Sequence, residues 1–310
     1  MQPLNAQEII GNWATLMLPL NQDDSIDYFL LGEEIDRMIG FGVNGIYSNG
    51  TAGEFYNQNE EEFDKISELL AVKCNAANKP FQIGCSHMSP QISLERLKRA
   101  VALKPGAVQI ILPDWFPPSM NEILRFLEKM AATADPIGLV LYNPPHAKIK
   151  LRPADFAAIQ QAGIPLVGCK MPGGDDTWYK AIKEHASHLS VFIPGHYLAT
   201  GISLGAHGAY SNVACLHPGA AQQWYEQMKK DMEAALELER RIQLFMSQYI
   251  VPFITEKKYS NQAVDKFMAV VGGWMSISPR LRWPYNGIDA SEMKNVRAAY
   301  QKLLPEFFNQ

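Results

Sequence analysis

Cysteine is scarce in this 310-residue sequence, and none of it is paired. Cys74, Cys85, Cys169 and Cys215 stand far apart with no Cys-x-x-Cys among them, and none of the seven histidines falls in a His-x-x-x-His pair. That excludes a structural zinc site of recognisable spacing, and no metal is expected. Three of the cysteines lie in apolar, strand-like stretches, which suits reduced, buried thiols in a cytoplasmic protein. No apolar run approaches the roughly 20 residues of a membrane span. Met1 to Leu20 has no basic region followed by an apolar core, so no secretory signal is expected. Basic residues are in the minority, 28 against 32 acidic, for a net charge of −4. That balance leaves no electrostatic footprint for nucleic acid or for an anionic membrane. Internal repeats, low-complexity runs and disordered linkers are also missing.

What is present is alternation. Val/Ile/Leu-rich runs at Trp13–Leu20, Gly42–Asn49, Phe81–Cys85, Ala107–Leu112, Ile137–Asn143, Leu166–Met171, Leu189–Ile193 and Gly208–Val213 are separated by amphipathic helical patterns. Asn59 with Glu62 and Ser119 with Glu122 have capping-box spacing, and Ser89-Pro90 sets a cap before a first-turn proline. Eight strands that are each followed by a helix predict a parallel sheet covered on its outer face. Eight such units in about 215 residues fit a closed (β/α)8 TIM barrel better than an open sheet. From about residue 218 strand signals stop, and helical patterns run at Pro218–Gln248, Asn261–Gly272 and Ala290–Phe307. The predicted organisation is an α/β barrel core over residues 1–217. Residues 218–310 then supply the eighth barrel helix and a C-terminal helical appendage.

In such barrels the chemistry gathers where the strands end. The second strand runs into Gly50-Thr51-Ala52-Gly53-Glu54, a tight turn of small residues able to offer amides and a hydroxyl to a carboxylate. The fifth ends at Tyr142-Asn143-Pro144-Pro145. The sixth, Leu166-Val167-Gly168-Cys169-Lys170, delivers a lysine into apolar surroundings. Burial disfavours an ammonium, so a lowered pKa and a nucleophilic amine are expected there. Tyr142 and Lys170 fall on adjacent strands, where a phenol can relay the protons that condensation of an amine with a ketone requires.

These motifs resemble those of the dihydrodipicolinate synthase / N-acetylneuraminate lyase family of class I pyruvate-dependent aldolases, in order and over essentially the whole chain. Gly50-Thr51-Ala52-Gly53-Glu54 resembles the family's carboxylate-binding turn. Tyr142-Asn143-Pro144-Pro145 resembles its proton-relay segment, and Gly168-Cys169-Lys170 its Schiff-base strand. Pro194-Gly195 and His207-Gly208-Ala209-Tyr210-Ser211 resemble the far wall of its pocket. The resemblance implies an imine between Lys170 and pyruvate or another 2-keto acid, with Tyr142 shuttling protons. Thr51 and the amide of Ala52 would hold the carboxylate beside Gly50. It further implies an aldehyde or 2-keto-3-deoxy acid partner, no metal or organic cofactor, and a homotetramer built as a dimer of dimers.

The sequence also departs from the family. Ala52 stands where the synthase has a second hydroxyl residue, and Trp115 where an aromatic crossing between subunits is usually tyrosine. Ala147 stands where the synthase carries an arginine, with Lys148 beside it; a lysine lacks the guanidinium fork. His196-Tyr197 replaces the acidic residues of the sialate lyases. Lysine biosynthesis is therefore not the preferred reading. An aromatic, His-bearing rim (Trp115, Phe116, His146, His196, Tyr197, Tyr210) would suit an aldehyde that is less polar or of a different shape; the same residues serve equally as rim packing. Two further alternatives are a catalytically idle keto-acid-binding homologue and a metal-dependent barrel enzyme using His146, His196, His207 and Asp114.

Overall fold

Strands that are apolar on both faces need a helical cover outside and a filled interior within. The chain builds both. The structure, a computed structural model, describes residues 1–308. Its strands are β1 (Gly11–Thr15), β2 (Gly45–Ser48), β3 (Phe81–Gly84), β4 (Ala107–Ile111), β5 (Gly138–Tyr142), β6 (Leu166–Lys170), β7 (Ser190–Phe192) and β8 (Gly208–Tyr210). All are parallel, and β8 pairs back to β1 to close the barrel. Helices α1 (Tyr28–Gly40), α2 (Glu60–Ala76), α3 (Pro90–Ala102), α4 (Met120–Ala134), α5 (Pro153–Gln161), α6 (Asp176–His185) and α7 (Leu198–Leu204) follow the first seven strands in turn. The expected (β/α)8 barrel is thus the observed fold.

Helix starts follow the local signals. Asn59 and Ser119 each form a full capping box with Glu62 and Glu122. Pro90 opens α3, but the Ser89 side chain makes no cap bond, and the Ser89 amide donates instead to His87 Nδ1.

Several boundaries differ from the sequence pattern, among them the expected helix Ala290–Phe307, which divides at Leu304. The first apolar run is longer than its strand because Leu16, Met17 and Leu18 stay buried after leaving the sheet, with the Met17 amide donating to Glu34 of α1. After the last strand, the Ser211 hydroxyl accepts from the Ala214 amide and turns the chain at once into α8 (Asn212–Leu216), where strand was expected. Pro218–Gln248 is not one helix either. Asp231 leaves helical geometry and caps the next segment, dividing α9 (Pro218–Lys230) from α10 (Met232–Phe245). Met246–Ile250 then widens into a π turn closed by Val251 N–H donating to Met246 O, before α11 (Val251–Thr255). The proline at 252 has no amide to continue the regular ladder. Helices α12 (Asn261–Gly272), α13 (Met293–Leu303) and α14 (Pro305–Phe308) complete the chain.

One cluster of Trp13, Tyr47, Ala107, Val140, Phe192 and Tyr210, with Ile9, fills the barrel interior. A much larger cluster packs the strands' outer faces against the helices and joins the C-terminal helices to the same core. All four cysteines are free and buried. Among the described residues no helix is long and apolar enough to cross a membrane, and no group of three His, Cys, Asp or Glu is gathered as a metal site would require.

Candidate active site

Lys170 and Tyr142 are register partners at the C-terminal ends of β6 and β5. In parallel strands, paired positions point to the same face, and both side chains enter one cavity of about 390 Å³ at the barrel mouth. The Lys170 Nζ stands 4.5 Å from the centroid of the Tyr142 ring and 5.6 Å from that of Tyr210. Thr51 and Ala52 line the same cavity from the turn after β2.

That turn is held from several sides. The Glu54 amide donates to Thr51 O and the Gln58 side chain to Gly53 O. Glu54 itself adopts a left-handed backbone (φ +51°) and is fully buried in an ion pair with Lys266 of α12. Gly50 packs so closely under Tyr47 that a β-carbon there would lie 2.4 Å from the ring. Its place in the site is therefore to let the turn close over Tyr47. Gly195 is comparable: it sits between Pro194 and His196, which line the cavity, and a β-carbon would lie 2.3 Å from Ser211 Oγ.

The remaining sequence-predicted residues separate into two groups. Tyr210 and His196 line the Lys170 cavity. Tyr210 is buried and donates through its hydroxyl to Gln82 at 2.6 Å, so it forms part of the floor. His196 exchanges hydrogen bonds with the Asn212 side chain, and burial holds its imidazole below the usual range. His146 and Ala147 instead line an adjoining cavity of about 550 Å³, which shares Thr51, Tyr142 and Asn261 with the first. Trp115 and Phe116 border neither cavity and are 79% and 84% exposed. Lys148 also stays outside both: its ammonium donates to Trp115 O and its amide to Asp114.

Residues the sequence did not single out complete the cavity. Thr15 and Tyr47 come from inside the barrel. The π turn and the flanking helices supply Met246, Ile250, Val251, Val264 and Met268 as a largely apolar wall, and α12 adds Asn261 and Asp265. The available signal was composition: α12 is apolar on nearly every face, yet carries Asp265-Lys266 side by side. In a helix buried all round, adjacent charges need specific partners.

Electrostatics here depart from expectation. Burial is the largest influence on the Lys170 ammonium and pulls its pKa down. The acidic groups around it, Tyr47, Tyr142, Asp265 and Cys215, outweigh burial and hold it above the usual lysine value. Burial raises the Tyr47 phenol and the Cys215 thiol as well, so neither carries charge near neutrality. Asp265 is different: burial pushes its carboxyl up to about 7, partly opposed by Lys170.

A sequence model of the Dihydrodipicolinate synthetase family matches residues 8–303. The chain belongs to that family. Family relatives include a 4-hydroxy-tetrahydrodipicolinate synthase of Ralstonia nicotianae, 25% identical over 305 residues that cover 95% of this chain and 97% of the relative. An N-acetylneuraminate lyase of Escherichia coli is 23% identical over 97% of this chain and 99% of its own. Two solved structures share the fold. A prophage protein of the dihydrodipicolinic acid synthase family from E. coli K12, in complex with pyruvate, superposes with a TM-score of 0.84 at 20% identity, covering 95% of this chain and 98% of that one. A catalytic lysine mutant of the Ruminococcus gnavus sialic acid aldolase gives 0.83 at 18% identity, covering 99% and 98%. Members of the dihydrodipicolinate synthetase family are lyases and aldolases acting on small keto acids and aldehydes, which supports a lyase kind and leaves the substrate open.

Proposed function

We propose that this protein is a Schiff-base-forming lyase or aldolase that acts on pyruvate or another 2-keto acid through Lys170. The Lys170 amine attacks the keto carbon, the carbinolamine loses water, and a protonated imine forms. Loss of a proton from C3, or cleavage of the C3–C4 bond to release an aldehyde, then yields the neutral enamine; where C4 carries a hydroxyl, that enamine expels it with a proton as water and leaves a conjugated iminium. Tyr142 moves protons at these stages, since its ring lies against the amine. The Thr51 hydroxyl and the Ala52 amide hold the substrate carboxylate and so fix the carbonyl over the amine. The covalent imine takes the place of a metal or organic cofactor. The 4.5 Å approach of Lys170 Nζ to the Tyr142 ring, in a cavity that also holds Thr51, carries the reading. It is further supported by the pyruvate in the similar prophage protein and by the sialic acid aldolase whose lysine is called catalytic. A homotetramer belongs to the same proposal.

The second substrate is an aldehyde, or the distal part of a 2-keto-3-deoxy acid, that meets the largely apolar wall of the π turn and α12. Dihydrodipicolinate synthesis proper is disfavoured because Lys148, next in sequence to the arginine position, is committed to Trp115.

Enamine formation exchanges the methyl protons of pyruvate with solvent without any second substrate, so proton NMR in D2O tests the proposal directly. The methyl signal should decay with enzyme, decay more slowly with Y142F and persist with K170A. Pyruvate binding without exchange, under conditions where the protein is folded, would point to an idle keto-acid-binding homologue instead.

A further inference from the structure

We propose that Asp265 is the counter-ion of the Lys170 imine: from α12 its carboxylate faces the lysine across the cavity, accepts the proton that the ammonium must lose before attack, and neutralises the iminium formed in its place. The inference rests on the Schiff-base reading above and adds a residue, from outside the barrel, to it.

Charge in the cavity carries the argument. Among the described residues that line it, Lys170 is the one ammonium and Asp265 the one carboxylate. The other groups facing Lys170 come from every element around it: Tyr47 on β2, Tyr142 on β5, Tyr210 on β8 and Cys215 on α8. All are phenols or a thiol, and burial raises Tyr47, Tyr210 and Cys215. His196, further along the wall, is held below its usual range by burial. A positive charge at Lys170 therefore has one formal negative charge to answer it. Among the described residues Asp265 also receives no hydrogen bond from a side chain or amide, so Lys170 is its electrostatic partner. Its position is not incidental to the fold. The next residue, Lys266, is fully buried against Glu54, which fastens α12 to the turn bearing Thr51 and points Asp265 into the mouth.

The chemistry balances within this pair. Ammonium and carboxylate pass to amine and carboxylic acid by one proton transfer. Amine, carboxylic acid and substrate carbonyl then give iminium, carboxylate and water. The water takes its oxygen from the carbonyl, one proton from the amine nitrogen and one from the carboxylic acid. The pair's net charge is zero on both sides, so no unpaired charge is created in the cavity. Near the value of about 7 that burial gives the Asp265 carboxyl, the acid exchanges its proton readily at neutral pH.

The test is the pH profile of pyruvate trapping on Lys170 with cyanoborohydride between pH 5 and 8.5, at subsaturating pyruvate and read by intact mass. In the wild type the trapped fraction should rise through a step near pH 7, where the iminium–carboxylate pair becomes available. D265N should lose that step and trap about tenfold less at pH 8, whereas D265E should retain a step. Thermal melts of both variants without pyruvate check that they fold. A D265N profile that coincides with the wild type overturns the proposal, as does a wild-type profile without the step. A wild type that traps nothing at any pH removes the Schiff-base reading itself, a distinct result.

Discussion

Lys266 reaches Glu54 at 3.3 Å with both side chains fully buried, joining a C-terminal helix to the turn that follows the second barrel strand. Glu54 also accepts the Arg282 amide, and Glu34 of α1 lies close enough to bias Lys266 as well. The pair therefore sets how the helical appendage sits over the barrel mouth. A buried ion pair adds little net stability, but removing one partner strands the other. K266M should destabilise the protein by about 3–5 kcal/mol in urea unfolding. A loss below about 1 kcal/mol would mean that the pair is not what fastens α12.

Glu34 gives a signed pH dependence. Burial, opposed by the Met17 amide and by Lys266, raises its carboxyl well above the ordinary value of 4.5. The folded state then holds a proton that the unfolded state has released. The contribution is fully present below about pH 4.5 and is lost as pH climbs through the folded value. Wild-type stability relative to E34Q should thus fall as the pH rises above about 4.5. Parallel stability curves for the two proteins would contradict the assignment.

Tyr142→Phe preserves the ring beside Lys170 and removes only the hydroxyl. The expected result is a kcat lower by roughly 10²–10⁴, with imine trapping by pyruvate still observed. Unchanged kcat would assign the proton relay to another group.

Thr51→Val tests the carboxylate clamp. Loss of one hydrogen bond to a charged group should raise KM for the keto acid roughly 10–100-fold with a smaller change in kcat. A large fall in kcat at constant KM would instead place Thr51 in the proton path.

Much of this was legible in the sequence, for definite reasons. Each barrel strand is a short apolar run between amphipathic helices, so all eight could be located. The lysine and tyrosine could be placed because strand ends share one rim. Strand limits were less legible: Leu16–Leu18 are as buried as any strand residue, although they have left the sheet. Asp231 interrupts a pattern that keeps helical periodicity on both sides, so its break is visible only in the backbone. His146 and Trp115 lie near Tyr142 and the fourth strand in sequence, yet the loops carry them to an adjoining cavity and to open surface. Asp265 had only the compositional signal of its apolar helix, and sequence distance hid its partner. It lies 95 positions after Lys170 in the chain, and an Asp-Lys pair on a helix ordinarily reads as a solvated face. Only the folding of α12 over the barrel mouth turns it inward. The Lys170 pKa was out of view as well, since burial alone predicted a fall and the facing Tyr47, Tyr142, Asp265 and Cys215 reverse it.

Peptide mapping of protein reduced with borohydride in the presence of pyruvate decides whether Lys170 forms the imine. One added three-carbon unit is expected on the peptide containing Lys170, and none in K170A. An unmodified Lys170, or an adduct carried equally by other lysines, would contradict the imine at Lys170.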